Sequence, residues 1–86
     1  MAFEYDPDKG RSNKKKHGID FEEAQLLWLD GRQIELPSRN PKEERYLVIG
    51  RVNEKIWTAI VTYRNGDIRI ISVRRSRKNE VEIYES

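Results

Sequence analysis

The dipeptide Asn65-Gly66 constrains the fold more than any other part of the chain. It stands between Trp57-Thr-Ala-Ile-Val-Thr-Tyr-Arg64 and Asp67-Ile-Arg-Ile-Ile-Ser-Val-Arg-Arg75. Both flanks are rich in β-branched and aromatic residues, which suit a pleated, half-buried surface. Asn-Gly tolerates the positive φ that a type I′ turn needs at both central positions, so the segment predicts a hairpin with a two-residue loop. Such a loop sets the register: Arg64 faces Asp67, Thr62 faces Arg69, Ile60 faces Ile71 and Thr58 faces Val73. Side chains alternate along a strand, so opposite residues share a face. One face then carries Trp57, Ala59, Val61, Tyr63, Ile68, Ile70 and Ser72, and reads as core. The other carries Thr58, Ile60, Thr62, Arg64, Asp67, Arg69, Ile71 and Val73. Arg64 and Arg69 become diagonal neighbours on this second face, roughly 7–8 Å apart at the backbone. Arg74 falls on the core face unless the strand end twists. The planar, permanently charged fork of arginine matches a phosphate, so two of them on a rigid hairpin make a candidate phosphate clip.

Composition narrows the classes. With 86 residues, 36% hydrophobic and 37% charged, the chain predicts a single small domain with little core to spare. Its two Trp, four Tyr and two Phe argue against disorder. A formal charge of +2 gives no strong overall field, so any nucleic-acid role must come from local arrangement of the seventeen Lys and Arg. Five of these fall between Lys9 and His17 and five between Arg69 and Lys78, with no acid in either run, whereas Phe21 to Asp30 is acidic. The absence of Cys removes disulfides and thiolate metal sites. One His among scattered carboxylates has no metal-ligand spacing, so no metal and no cofactor are expected. No stretch reads as a membrane span or signal-peptide core, and the expected location is the cytoplasm.

The remaining elements follow from local signals. Phe3 and Tyr5 alternate with polar residues as a short strand. Asp6-Pro7 supplies an N-cap and a first-turn proline for a helix that ends at His17-Gly18. Asp20 and Glu23 form a capping-box pattern ahead of a second helix with the apolar stripe Phe21, Ala24, Leu27 and Trp28, closed by Asp30-Gly31. Gln33 to Leu36 reads as a strand stopped by Pro37, Ser38 to Glu44 as a loop, and Arg45 to Val52 as a strand turning at Asn53-Glu54. A turn of two or four residues there places Arg45 opposite Thr62, on the face of Arg64 and Arg69, and a three-residue loop would turn it to the other face. Ser76 is the expected N-cap of a final helix to Glu85. The fold class is therefore α+β: a small, mainly antiparallel sheet with two N-terminal helices and one C-terminal helix.

Each candidate residue has an ordinary alternative. Arg64 and Arg69 could be neutralised by Asp67, Glu35 or Glu44 in surface pairs worth about 0–1 kcal/mol. Arg74 and Arg75 stand at a strand end before a helix N-terminus, an anion site in its own right or simply a solvated edge. His17, the residue type whose ordinary pKa lies nearest neutrality, could transfer protons or merely complement a helix C-terminus. Lys14, Lys15 and Lys16 form a solvated face or a polyanion contact. Tyr63 and Tyr84 could stack on bases but occupy core-like positions. Glu80 could move a proton or pair with Arg77, three residues away. The classes left open are a small RNA-cleaving enzyme and a non-catalytic RNA- or protein-binding module.

Several segments together resemble the BrnT family: Phe3-Glu-Tyr-Asp-Pro-Asp-Lys9, Lys16-His-Gly-Ile-Asp-Phe-Glu-Glu-Ala24, Glu44-Arg45 with the apolar strand to Gly50, Arg69-Ile-Ile-Ser-Val-Arg74, Glu80 and Tyr84. Val73 stands where alanine is common in that pattern. The resemblance implies a bacterial type II toxin with a fold similar to RelE, which inhibits translation by cutting RNA. It also implies a BrnA-like ribbon-helix-helix antitoxin as partner, with operator DNA bound only through the toxin–antitoxin complex and no role at a membrane. Metal-free cleavage by the ribose 2′-OH needs a base, an acid and positive charge at the phosphorus. Arg64 and Arg69 are assigned to that charge and Arg74 to an additional clamp. His17, Lys16 and Glu80 are the acid–base candidates, and Lys14, Lys16, Arg45 and Arg75 are the expected further RNA contacts. An antitoxin-bound co-repressor without catalysis is the alternative.

Overall fold

The computed structural model describes residues 2–39 and 42–86. Five strands form one sheet in the order β1-β5-β4-β3-β2, comprising β1 (Phe3–Glu4), β2 (Ile34–Ser38), β3 (Arg45–Val52), β4 (Lys55–Arg64) and β5 (Asp67–Arg75). All neighbours are antiparallel except β1, which pairs parallel to β5 with Phe3 beside Ile68 and Glu4 beside Arg69. Helices α1 (Pro7–His17) and α2 (Phe21–Ala24) precede β2, and α3 (Lys78–Glu85) follows β5. The fold is α+β, with two N-terminal helices and one C-terminal helix.

Local chemistry explains these elements. Asp6 caps α1 by accepting the Asp8 N–H at 2.9 Å, and Gly18 ends it at φ 85°. The Asp20–Glu23 capping box is complete, with bonds of 2.7 and 3.1 Å. The continuous second helix expected to Asp30 instead tightens after Ala24 into a 3-10 helix, Gln25–Leu29. Gly50 of β3 lies under that helix, where an added Cβ would meet Leu27 Cδ2 at 3.0 Å. A tighter segment lets Leu27 approach the sheet there. Pro37 does not stop β2 but lies inside it, opposite Tyr46. The strand is at the sheet edge, where a missing N–H is tolerated. The Ser38–Glu44 loop begins one residue late, and its residues 40 and 41 lie outside the described residues.

At the hairpin, Asn65 and Gly66 both take positive φ, 51° and 83°, as a type I′ turn requires. Arg64 faces Asp67 and Thr62 faces Arg69, but a β-bulge then shifts the register. Val61 pairs with Ile70 while Ile60 pairs with Ser72, so Ile71 is the extra residue. The expected Ile60–Ile71 and Thr58–Val73 pairs become Ile60–Ser72 and Thr58–Arg74. A bulge turns every later side chain to the other face. Val73 consequently enters the core at 0% exposure, and Ser72 leaves the core face.

Two apolar clusters cover the two faces. Phe21, Ala24, Leu27, Val48, Trp57, Ala59, Val61, Ile68, Ile70 and Val73 form the main core beneath α1 and α2. On the reverse, Tyr84 and Val81 of α3 pack over Ile49, Ile56, Ile34 and Leu36. α3 thus covers one end of that face and leaves the hairpin end uncapped.

Candidate nucleic-acid interface

The bulge decides the geometry of the site. With Ile71 looped out, Arg74 lies opposite Thr58, on the same face as Thr62, Arg64 and Arg69 and not on the core face. Asn53-Glu54 is a two-residue turn, and Tyr46 lies opposite Val61, which brings Arg45 to the Thr62 face as well. From Thr58 to Arg64 is six residues, so the arginines span about 20 Å of this face. Half-buried Leu47 and Ile60 form the floor between them.

The arginines differ in how firmly they are held. Arg74 makes a two-pronged pair with Glu80, at 2.7 Å from Nη1 to Oε1 and 2.9 Å from Nη2 to Oε2. Glu80 is only 4% exposed, and its Oε1 also accepts from the Thr58 hydroxyl at 3.0 Å and the Arg77 N–H at 2.8 Å. The Arg74 guanidinium foremost, then the Arg77 N–H and Thr58 hydroxyl, holds the Glu80 carboxyl down to about 2 despite burial. Ser76, the expected cap of α3, bonds Thr58 at 2.8 Å instead, and Arg77 takes the N-cap position. Arg69 pairs with Glu4 of β1 at 2.7 Å, not with Asp67, Glu35 or Glu44. Arg45 pairs with Glu43 at 2.8 Å. The guanidinium of Arg64 is exposed and engages no carboxylate among the described residues. It is therefore the cation of this face whose charge is left for a ligand.

The other candidates lie elsewhere. Arg75 points to the core side and stacks on Trp57 at 5.5 Å from the ring centre. Lys14 is tied to Glu23 across α1 and α2 at 2.7 Å. His17 and Lys16, at the end of α1, line a hollow of about 150 Å³ at the outer edge of β5, together with Lys9, Ser12, Ile71 and Ser72. Tyr84 is buried and donates to Asp30 at 2.6 Å. Tyr63 is 41% exposed, stacks on Tyr46 with ring centres 5.2 Å apart, and donates to Glu35, so it is not a core residue. Burial, then its bond to Glu35, raises its phenol well above the ordinary range.

Sequence reasoning missed Glu4 and Asn13. Glu4 reaches Arg69 only because β1 pairs parallel to β5 across the whole chain, which no local pattern signals. Asn13, 7% exposed, donates from Nδ2 to the carbonyls of Ile19 at 2.7 Å and Val73 at 2.9 Å, and accepts the Val73 N–H at 3.3 Å. It replaces a neighbouring strand on the free edge of β5, one residue before Arg74. Among the described residues no group of His, Asp and Glu is placed to hold a metal ion.

Residues 5–80 match the family described as the ribonuclease toxin, BrnT, of type II toxin-antitoxin systems. The chain belongs to the BrnT family. The match covers the arginine-bearing strands and reaches Glu80 in α3, so it contains every member of the Arg74–Glu80 pair and the hairpin. No curated protein matches the chain. Family membership makes it a type II ribonuclease toxin, for which an antitoxin partner is implied, and among the described residues no helix is long and apolar enough to cross a membrane.

Proposed function

We propose that this toxin cleaves single-stranded RNA on the open arginine face, without a metal ion, and thereby inhibits translation in the cytoplasm. The observation that carries the reading is an Arg64 guanidinium with no carboxylate partner among the described residues, on one face with an Arg69 held by Glu4 and an Arg74 held by Glu80. Held arginines keep a fixed geometry, and such pre-organised charge is what stabilises a phosphorane-like transition state.

The chemistry balances with protein groups alone. The ribose 2′-OH loses its proton to a base and attacks the adjacent phosphorus. The P–O5′ bond breaks, the 5′-oxygen takes a proton from an acid, and the products carry a 2′,3′-cyclic phosphate and a 5′-OH. Arg64 and Arg69 bind the non-bridging oxygens, and Arg74 clamps a phosphate further along the strand. A carboxyl held at about 2 is a poor base near neutral pH, so Glu80 acts by positioning Arg74. Proton transfer then falls to His17 or Lys16, which meet β5 at Ser72. Arg45 extends the RNA contact along the same face, and Arg75, Lys14 and Lys16 add charge outside it.

The partner is a BrnA-like ribbon-helix-helix antitoxin, and the pair binds its operator DNA through the antitoxin. Expression of the chain alone is expected to arrest growth, with rescue on antitoxin co-expression. Purified protein should cut RNA equally well in the presence of a chelator. Salt-sensitive RNA binding with no cleavage products would contradict the enzymatic reading and favour a binding module.

A further inference from the structure

The solvent side of α2 and the 3-10 helix that follows carries the most exposed large apolar side chains of the fold. Leu29 is 80% exposed and Leu26 45%, in a chain whose other leucines are half-buried or buried. Three hollows surround them and share walls. One of about 550 Å³ runs from Phe3 past Glu22 and Glu23 to Leu26 and Leu29. A second of about 320 Å³ continues from those leucines to Val52 and Asn53. A third of about 620 Å³ shares Val52 and Asn53 and returns past Trp57 to Glu23. Together they form one continuous trough around an apolar ridge, on the sheet face opposite the arginines.

Charge gives the Phe3 side of the trough a sign: its hollow carries Asp20, Glu22 and Glu23 and no Lys or Arg, whereas the other two include Arg51 and Lys55. Asp20, Glu22, Glu23 and Asp30 lie between residues 20 and 30, and no Lys or Arg does, although the whole chain is net positive. Glu22 and Glu54, on opposite sides of the ridge, are exposed and engage no cation among the described residues. An RNA would be repelled at the Asp20–Glu23 flank. An apolar ridge with an acidic flank suits a protein segment that brings apolar anchors with Lys or Arg to one side of them.

We infer that the Leu26–Leu29 ridge is the docking surface for a cationic amphipathic segment of the cognate antitoxin, separate from the arginine face. The inference rests on family membership for the existence of that partner, and on this surface alone for where it sits. The antitoxin then anchors on the helical side. Neutralisation requires the rest of its chain to reach round the sheet to the arginines, which leaves the two contacts separable by mutation.

The test uses the cognate antitoxin, co-expressed with the chain, purified and titrated by calorimetry at two salt concentrations. Leu26→Ala with Leu29→Ala should weaken binding about tenfold or more. Glu22→Lys should weaken it severalfold at low salt, with the loss shrinking as salt screens the acidic flank. Both variants are at exposed positions, so circular dichroism should show an unchanged fold, and free-toxin RNA cleavage should match the parent. Affinity within about twofold of the parent in the double variant would overturn the inference. So would a double variant that abolishes self-association while antitoxin affinity stays unchanged, since the ridge would then belong to a second copy. A parent protein that cuts no RNA would defeat the proposed catalysis and leave the binding result standing.

Discussion

At the scale of single residues, the site depends on carboxylates that hold arginines in place. Glu80 shows the thermodynamic consequence. Its folded pKa of about 2 lies below the ordinary 4.5, so folding is favoured by the ionised form. That contribution amounts to about 3 kcal/mol at pH above the unfolded value and is lost as pH falls from about 4.5 toward 2. Urea unfolding across this range should show the loss, and Glu80→Gln should flatten it. The same substitution at neutral pH should cost about 2–4 kcal/mol, because it leaves the largely buried Arg74 guanidinium without its partner. Activity should fall further than stability explains, since an unheld Arg74 no longer clamps phosphate. Arg64 behaves oppositely. It pairs with nothing among the described residues, so Arg64→Ala should leave the unfolding midpoint almost unchanged while lowering the cleavage rate about 100-fold or more.

At the scale of elements, the bulge and Asn13 determine where the last arginine points. Asn13→Ala removes two donated bonds and leaves the fully buried Val73 N–H without an acceptor. It should cost about 2–3 kcal/mol, read as a lowered urea midpoint, and should loosen the β5 edge that carries Arg74. The hairpin turn, both capping residues at Asp6 and Asp20, and the extents of α1 and β3 were legible in the sequence, because each is set by contacts within a few residues. The bulge was not legible: nothing in Ile70-Ile71-Ser72 marks which residue loops out, and only the burial of Val73 against Ala59 decides it. That single register step is why the expected core face included Ser72 and why Arg74 was expected on the wrong side. Pro37 and the 3-10 helix escaped for a similar reason, since edge position and the fit against Gly50 are tertiary facts.

At the scale of the whole molecule, the sheet separates an arginine-bearing surface from a helical one. One face carries Arg45, Arg64, Arg69 and Arg74, and the other carries the basic α1 beside the acidic α2, with the exposed leucines of the 3-10 helix. A net charge of only +2 conceals this local segregation of charge, which composition alone could not reveal. The candidate arginines of the hairpin were readable from residue spacing, but their partners were not, since Glu4 meets Arg69 only once β1 closes against β5. If the arginine face holds the RNA backbone, affinity for a non-cleavable 2′-deoxy-substituted oligonucleotide should fall with salt. Arg64→Ala should then reduce the logarithmic slope by about 0.7, as expected for one lost single-strand phosphate contact. The central claim is that this face cuts RNA. Its most direct test is primer-extension mapping of an RNA incubated with purified wild-type protein, Arg64→Ala and Arg69→Ala, each with a chelator present. Discrete wild-type cuts that fade about 100-fold or more in both variants are the predicted result. The same cuts at the same strength in all three proteins, or none in the wild type, would contradict it.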